Sequence, residues 1–259
     1  MEPYFDEKNL KKIQESYDRV DVEYKDLLLK YTMFKFSNDE AKEYATQGLM
    51  RRVCTLYRCI FNVFEITPPE NMKPLTDELS ADLSINLQSF VLNVFGSLDN
   101  VAWIWVKEKS LDFNRGEVGL KPKYKKLRNT FSPEFKAYVS KFDDWFQYLE
   151  NYRDALAHRI PLYVPPFSLT KEGTARYQEL EKQMMEALLA HRFEEYEVLK
   201  QEQANLGIFY PWMTHSFIEE AKPVVFHAQI LADWATVVDI ANTFYNELNS
   251  LPKESQKVA

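Results

Sequence analysis

Three residues near the middle of the chain, Arg153, Asp154 and His158, combine a guanidinium, a carboxylate and an imidazole within six positions. An imidazole can take up and return a proton near neutral pH, and a guanidinium can neutralise charge that gathers on an anion. Each residue of an α-helix advances about 100°. Asp154 and His158, four apart, therefore stack on one face, Arg153 projects to one side, and the apolar stripe through Tyr152 and Leu156 points roughly the opposite way. Ala155 and Ala157 are small enough to admit another backbone close by. This arrangement can line a cleft, and it equally describes an ordinary solvent-facing helix end.

Two other groups bear on the same chemistry. Asp99 lies in an otherwise apolar stretch, where an unpaired carboxylate is costly. Asp99 or its neighbour Asn100 is expected to reach Arg153 or His158 and position it, the alternatives being another buried donor or a protomer interface. The segment Asp112 to Arg128 is the most basic of the chain, with Lys121, Lys123, Lys125, Lys126 and Arg128 around Tyr124. It can guide RNA toward a cleft and stack a base, or it can be a solvated connector. His215, His227 and Asp233 have no recognised metal-ligand spacing, so no metal and no cofactor is expected. Cys54 and Cys59, five apart, match neither a zinc knuckle nor a redox pair and read as buried, reduced thiols.

The elements that must position these groups are helices. Leu10, Ile13, Tyr17, Val20, Tyr24, Leu27, Tyr31 and Phe34 follow one another at steps of three and four, which predicts one long helix. Ser37 and Glu40 have capping-box spacing, and Ala41, Ala45, Leu49, Val53, Leu56 and Ile60 continue a second stripe until Pro68-Pro69. After Pro74 a third helix carries Leu79, Leu83, Leu87, Phe90, Val94, Leu98 and Val101, and from Trp103 to Val106 it is apolar on all sides. Ser132-Pro133-Glu134 announces a fourth, with a stripe at Phe135, Tyr138, Phe142, Trp145, Leu149, Tyr152 and Leu156. It ends just after His158, because Pro161 and Pro165-Pro166 force an extended loop. Residues 171–205 are charged and helical, with a thin stripe at Tyr177, Leu180, Met184 and Leu188, and are expected on the outside. Beyond the aromatic connector Phe209-Tyr210-Pro211-Trp212, a last helix follows Pro223 with Ala228, Leu231, Ala235, Val238 and Leu248 as apolar positions.

Composition agrees. Six glycines in 259 residues are too few for an all-β fold, and the aromatic share of 15% suits well-filled helix seams. A formal charge of −7 argues against indiscriminate coating of nucleic acid, which needs broad neutralisation of phosphates. The first residues carry neither a basic nor an apolar export region, and Phe90 to Val106 is interrupted by Asn93, Ser97, Asp99 and Asn100. A cytoplasmic all-α protein without a membrane span is the expectation.

Arg153, Asp154 and His158, in the run RDALAHRIPLYVPP, resemble the hallmark of the HEPN superfamily, an arginine followed by a polar residue and, after four to six positions, a histidine at a helix end. Leu98-Asp99-Asn100-Val101-Ala102-Trp103 is also similar to helical segments of that superfamily. The resemblance covers about residues 38–165 and the last helix, 223–250, leaving about 171–205 as a helical insertion in a single elaborated domain. It implies a helical bundle that pairs into a homodimer through the motif-bearing helices, and in many members a metal-independent endoribonuclease of toxin or defence type. His158 would then be the acid and base, Arg153 the phosphate clamp, and the products would carry 2′,3′-cyclic phosphates. Asp154 would orient or polarise one of the other two. The family more often has asparagine there, so a carboxylate would either tune the site or weaken its hold on phosphate. The alternative is an inactive HEPN-like module that binds RNA or a protein partner, an antitoxin among them.

Overall fold

The computed structural model describes residues 4–216 and 222–251, and it is all-α apart from short extended pairings. Helix α1 spans Glu7–Met33; Asp6 caps it, its carboxylate accepting from Asn9 N at 2.7 Å, and its stripe puts Ile13, Val20, Leu27 and Tyr31 in the core. Helix α2, Asp39–Glu43, is capped by Asn38 rather than Ser37. The Asn38 side-chain oxygen accepts from Glu40 N and Ala41 N, while Ser37 N donates to Glu108 at 2.8 Å, which holds Ser37 outside the helix.

A π turn, Tyr44–Leu49, joins α2 to α3, Met50–Ile66. The sequence pattern explains the wider turn. Ala41, Ala45, Leu49 and Val53 recur at steps of four and are all buried, yet in an α-helix each such step drifts about 40° off the face. One wider turn, with more residues per turn, returns the stripe to the core. Of the two cysteines only Cys59 is buried; Cys54 is exposed, because a step of five turns it about 140° away.

Helix α4, Asp77–Glu108, starts at Thr76, whose Oγ1 accepts from Leu79 N, and packs against α2, the π turn, α3 and two later helices. Leu83, Leu87, Phe90, Val94, Leu98 and Val101 are buried as the stripe requires, as are Ile104, Trp105 and Val106, whereas Leu79 is exposed. Among the described residues α4 alone is long and apolar enough to cross a bilayer, and 56% of its apolar window is buried inside the bundle.

The helix expected from Ser132 is two helices. After the short α5, Lys125–Arg128, helix α6 covers Pro133–Val139 with Ser132 as its cap, a 3₁₀ turn covers Ser140–Phe142, and α7 covers Asp143–His158. Ser140 Oγ donates back to Lys136 O, a bond that competes with helix continuation. The buried Arg128 then clamps the break from outside: Nη2 meets Asp143 Oδ1 at 2.6 Å, Nη1 donates to Ser140 Oγ at 3.3 Å and Nε to Leu120 O at 2.6 Å. At the other end Glu247 accepts from both Ser132 N and Ser132 Oγ at 2.7 Å, tying the start of α6 to the last helix.

The extended chain after α7 pairs with the aromatic connector through bridges Tyr163↔Thr214 and Ser168↔Ile208, and β1, Trp212–Met213, pairs antiparallel with β2, Val224–Val225. Between them α8, Lys171–Leu189, and α9, Phe193–Ala204, pack chiefly on each other, with Leu180 and Ala187 buried and Leu188 exposed. Helix α10, Phe226–Asn249, returns to the bundle against α1, α3 and α4. Leu231, Val238 and Leu248 are buried as expected, but Ala228 and Ala235 are exposed; the inward face is carried by the larger Phe226, Ile230, Trp234, Val237 and Phe244, with Ala241 among them.

Two buried polar groups of α10 are held by hydrogen bonds, although His227 Nδ1 is buried without a partner among the described residues. His227 Nε2 lies 2.7 Å from Thr67 O, and burial lowers the imidazole to about 4. Asp233 Oδ1 accepts from Trp145 Nε1 and Gln229 Nε2, both at 2.8 Å; burial raises its carboxyl to about 6 against the pull of those bonds. The folded state thus keeps a proton that the unfolded chain releases near 3.8. Stability should fall as pH rises through that interval, by up to about 3 kcal/mol, and then level off. Asp233→Asn keeps an oxygen for both donors and cannot ionise. Urea unfolding is expected to show the variant more stable at pH 7 and free of this fall; identical pH profiles for the two proteins would contradict the burial argument.

Candidate functional site

Helix α7 presents the three motif residues to two different cavities. Arg153 lines one of about 810 Å³ with residues of the π turn, α3, α4 and the 115–124 loop. Asp154 and His158 line another, of about 640 Å³, with Gln147, Tyr148, Asn151 and Arg159. The helical step accounts for this, since residues five apart point about 140° from one another. Asp154 sits at the boundary: it lines the His158 side while its Oδ1 lies 3.1 Å from Arg153 Nη1. His158 is exposed.

The larger cavity holds five cations, Arg52, Arg115, Lys121, Lys123 and Arg153, with Asp99 the one carboxylate among its lining residues. Arg153 lies over the Phe95 ring, its guanidinium carbon 4.5 Å from the centroid, and its Nε is buried without a hydrogen-bond partner. Lys121 is buried; its ammonium sits 4.9 Å from the Phe95 centroid and binds Glu150, which Lys123 also reaches at 3.1 Å. Burial alone would raise the Glu150 carboxyl, but the hydrogen bonds from the two lysines hold it below the usual range. Burial correspondingly lowers Lys121, while the bond to Glu150 raises Lys123.

Aromatic rings complete the walls. Tyr44, from the π turn, stacks on Trp103 at a centroid distance of 5.6 Å and 13° between planes, and Tyr124 faces Lys121 and Lys123. Gly119 is required beneath Tyr124, because a Cβ there would lie 2.3 Å from the ring. Cations beside aromatic faces suit a ligand that carries both anionic groups and flat bases.

Asp99 shares this cavity with Arg153 and not with His158. Burial raises its carboxyl, opposed in turn by the charges of Lys121, Arg153, Arg52 and Lys123. Asn100 also lines the cavity, but its Oδ1 accepts from Arg52 Nε at 3.0 Å, so it positions Arg52. The basic segment divides. Lys121, Lys123 and Tyr124 belong to the cavity, Lys126 pairs with Glu117 at 2.8 Å outside its lining, Arg128 is spent on the α6–α7 break, and Lys125 is exposed.

His215, His227 and Asp233 are each engaged apart, Asn151 Nδ2 lying 3.5 Å from His215 Nε2, and among the described residues no three His, Cys, Asp or Glu are grouped to hold a metal. Arg52, Tyr44, Phe95, Trp103 and Arg115 are cavity residues that the sequence did not single out. The signal available was Gly48 and Gly96: glycine inside a helix costs about 1 kcal/mol relative to alanine and marks close approach. No known protein family, curated protein or solved structure matches the chain.

The Lys121–Glu150 pair should matter to the fold as well as to the cavity. Glu150→Ala leaves a buried ammonium without its partner and is expected to cost about 1–3 kcal/mol, whereas Lys123→Ala, at an exposed position, should stay within about 0.5 kcal/mol. Equal effects in thermal unfolding would contradict the assignment of Lys121 to the interior.

Proposed function

We propose that this chain is a HEPN-like RNA-binding protein and that the cavity around Arg153 receives RNA phosphate and base. One observation carries the reading: the motif arginine shares a cavity with four further cations and with stacked Tyr44 and Trp103. Arg153 supplies the phosphate contact, its direction fixed by Phe95 beneath and Asp154 beside it. The aromatic wall supplies stacking, which tolerates every base because every base has a π face. Binding is local to the cavity and compatible with the overall charge of −7.

A second reading, a metal-independent endoribonuclease of toxin or defence type, is favoured by Asp154, which touches Arg153 and lines the cavity of His158. One chain holds the arginine and the imidazole on separate faces. In this reading a homodimer through the α7 ends brings the arginine of one copy to the imidazole of the other: His158 takes the proton of a ribose 2′-hydroxyl, the 2′-oxygen bonds to phosphorus as the bond to the 5′-oxygen breaks, and the imidazolium returns a proton to that oxygen, leaving a 2′,3′-cyclic phosphate.

The two readings separate in one set of assays on mixed RNA in EDTA. Binding measured by fluorescence anisotropy is expected to weaken about 10-fold or more in Arg153→Gln, in line with about 1.5–3 kcal/mol for a charge-assisted hydrogen bond, and to be unchanged in His158→Ala. Asp154→Asn frees the guanidinium and should strengthen binding several-fold. Undiminished binding in folded Arg153→Gln would remove the proposal. Cleavage to 2′,3′-cyclic phosphate ends that vanishes in His158→Ala would establish the second reading.

A further inference from the structure

Arg52 is held in a way that leaves it facing the cavity with hydrogen-bond donors to spare. Its Nε donates to Asn100 Oδ1 at 3.0 Å and its Nη1 to Asn93 Oδ1 at 3.1 Å, both on α4. Both partners are neutral amides, and among the described residues Arg52 makes no ion pair. A guanidinium has five N–H groups, so three remain for a ligand in the planar fork that suits phosphate.

Its seat is shaped for it. A Cβ on Gly96 would lie 2.4 Å from Arg52 Cζ and Nη1, and a Cβ on Gly48 would lie 2.6 Å from the Asn100 amide nitrogen. Arg52 therefore lies flat against the α4 backbone where only glycine permits it, with Asn93, Gly96 and Asn100 spaced by three and four on one face of that helix. An arginine serving only to bridge α3 and α4 would not need two interior glycines, nor would it leave three N–H groups, beside a cavity it lines, without a partner among the described residues.

Charge specifies the ligand further. The five cations of the cavity are opposed by Asp99 in its wall and by Glu150 and Asp154, which contact Lys121, Lys123 and Arg153, leaving two positive charges uncompensated. An internal RNA linkage brings one negative charge per nucleotide. A terminal phosphate, with its second ionisation near pH 6, brings close to two at neutral pH. The volume of about 810 Å³ matches a site for one small molecule rather than a duplex.

We infer that Arg52, seated on Gly96 between Asn93 and Asn100, binds the terminal phosphate of a nucleotide whose base lies on the Tyr44–Trp103 wall, so that the cavity is specific for a phosphorylated end. The inference rests on the reading of the cavity as an RNA site, and free nucleotides and RNA 5′ ends share this chemistry.

The test compares two hexaribonucleotides of one sequence, with a 5′-phosphate and with a 5′-hydroxyl, and uses AMP as competitor. The wild-type protein is expected to prefer the phosphorylated oligomer at least 10-fold. Arg52→Gln and Gly96→Ala should each bring that ratio to within about 2-fold. Gly96→Ala retains every charge, improves helix propensity and displaces only the tip of the Arg52 side chain, so it reports on the seat even where removing the arginine disturbs the bundle. Displacement of the phosphorylated oligomer by AMP assigns the seat to free nucleotides, and its resistance to AMP assigns the seat to RNA ends. A wild-type ratio near one, or a ratio that survives both substitutions, overturns the inference while leaving RNA binding through Arg153 standing. Binding of AMP without binding of either oligomer would instead overturn the RNA reading and keep the phosphate seat.

Discussion

Packing α4 in the middle of the bundle leaves a half-buried polar strip on one face that neighbouring side chains must meet. The helix is packed on most of its circumference by α2, α3, α7, α10 and the π turn, and its apolar residues hold these together. One face nevertheless carries Asn93, Gly96 and Asn100, with Asp99 beside it. Buried polar groups persist only where they find partners. Arg52 crosses from α3 to satisfy the two asparagines, and Lys121 and Arg153 approach Asp99 from the loop and from α7. The cations that compensate this strip outnumber the charge they meet, and the cavity they surround is the consequence. The π turn serves the same end, since it returns the α2–α3 stripe to the core while setting Tyr44 against Trp103.

The position of α7 depends on tertiary bonds at each end of α6. Glu247 holds Ser132, and Arg128 holds Asp143 and Ser140 across the break. These contacts fix the rotation of α7, and with it the direction of Arg153 into the cavity and of His158 away from it. Bringing His158 to the cations in place of Arg153 would take a rotation of about 140°. The helical step divides the motif between two faces and the bundle decides which cavity each face meets, which is the reason why binding and cleavage are separable expectations for the same six residues.

Much of this architecture was legible in the sequence. The stripes of α1, α3 and α4, the start at Ser132-Pro133-Glu134 and the stop after His158 follow from local rules that act over three or four residues. The spacing put Arg153 to one side of Asp154 and His158 in what could be one cleft, and only the packed bundle opens the two ends of the motif onto different cavities. Other features depend on partners distant in sequence. Asn38 caps α2 in place of Ser37 where Glu108 accepts from the N–H groups of both, and the break before α7 is clamped by Arg128. The cavity draws on four separate stretches of chain, and Arg52 in particular reads locally as one more charged residue on a helix. Only the two interior glycines, costly where they stand, pointed to close packing at that place.

Nucleic acid in the cavity between α3, α4, α7 and the 115–124 loop, as proposed, would place its bases against the aromatic wall. Crosslinking a 4-thiouridine-substituted RNA to the protein, followed by mass spectrometry of the adducts, locates bound bases directly. The account predicts adducts at Tyr44, Trp103 or Tyr124, lost on competition with unmodified RNA. Competable adducts found only elsewhere, on the α8–α9 hairpin for example, would contradict it.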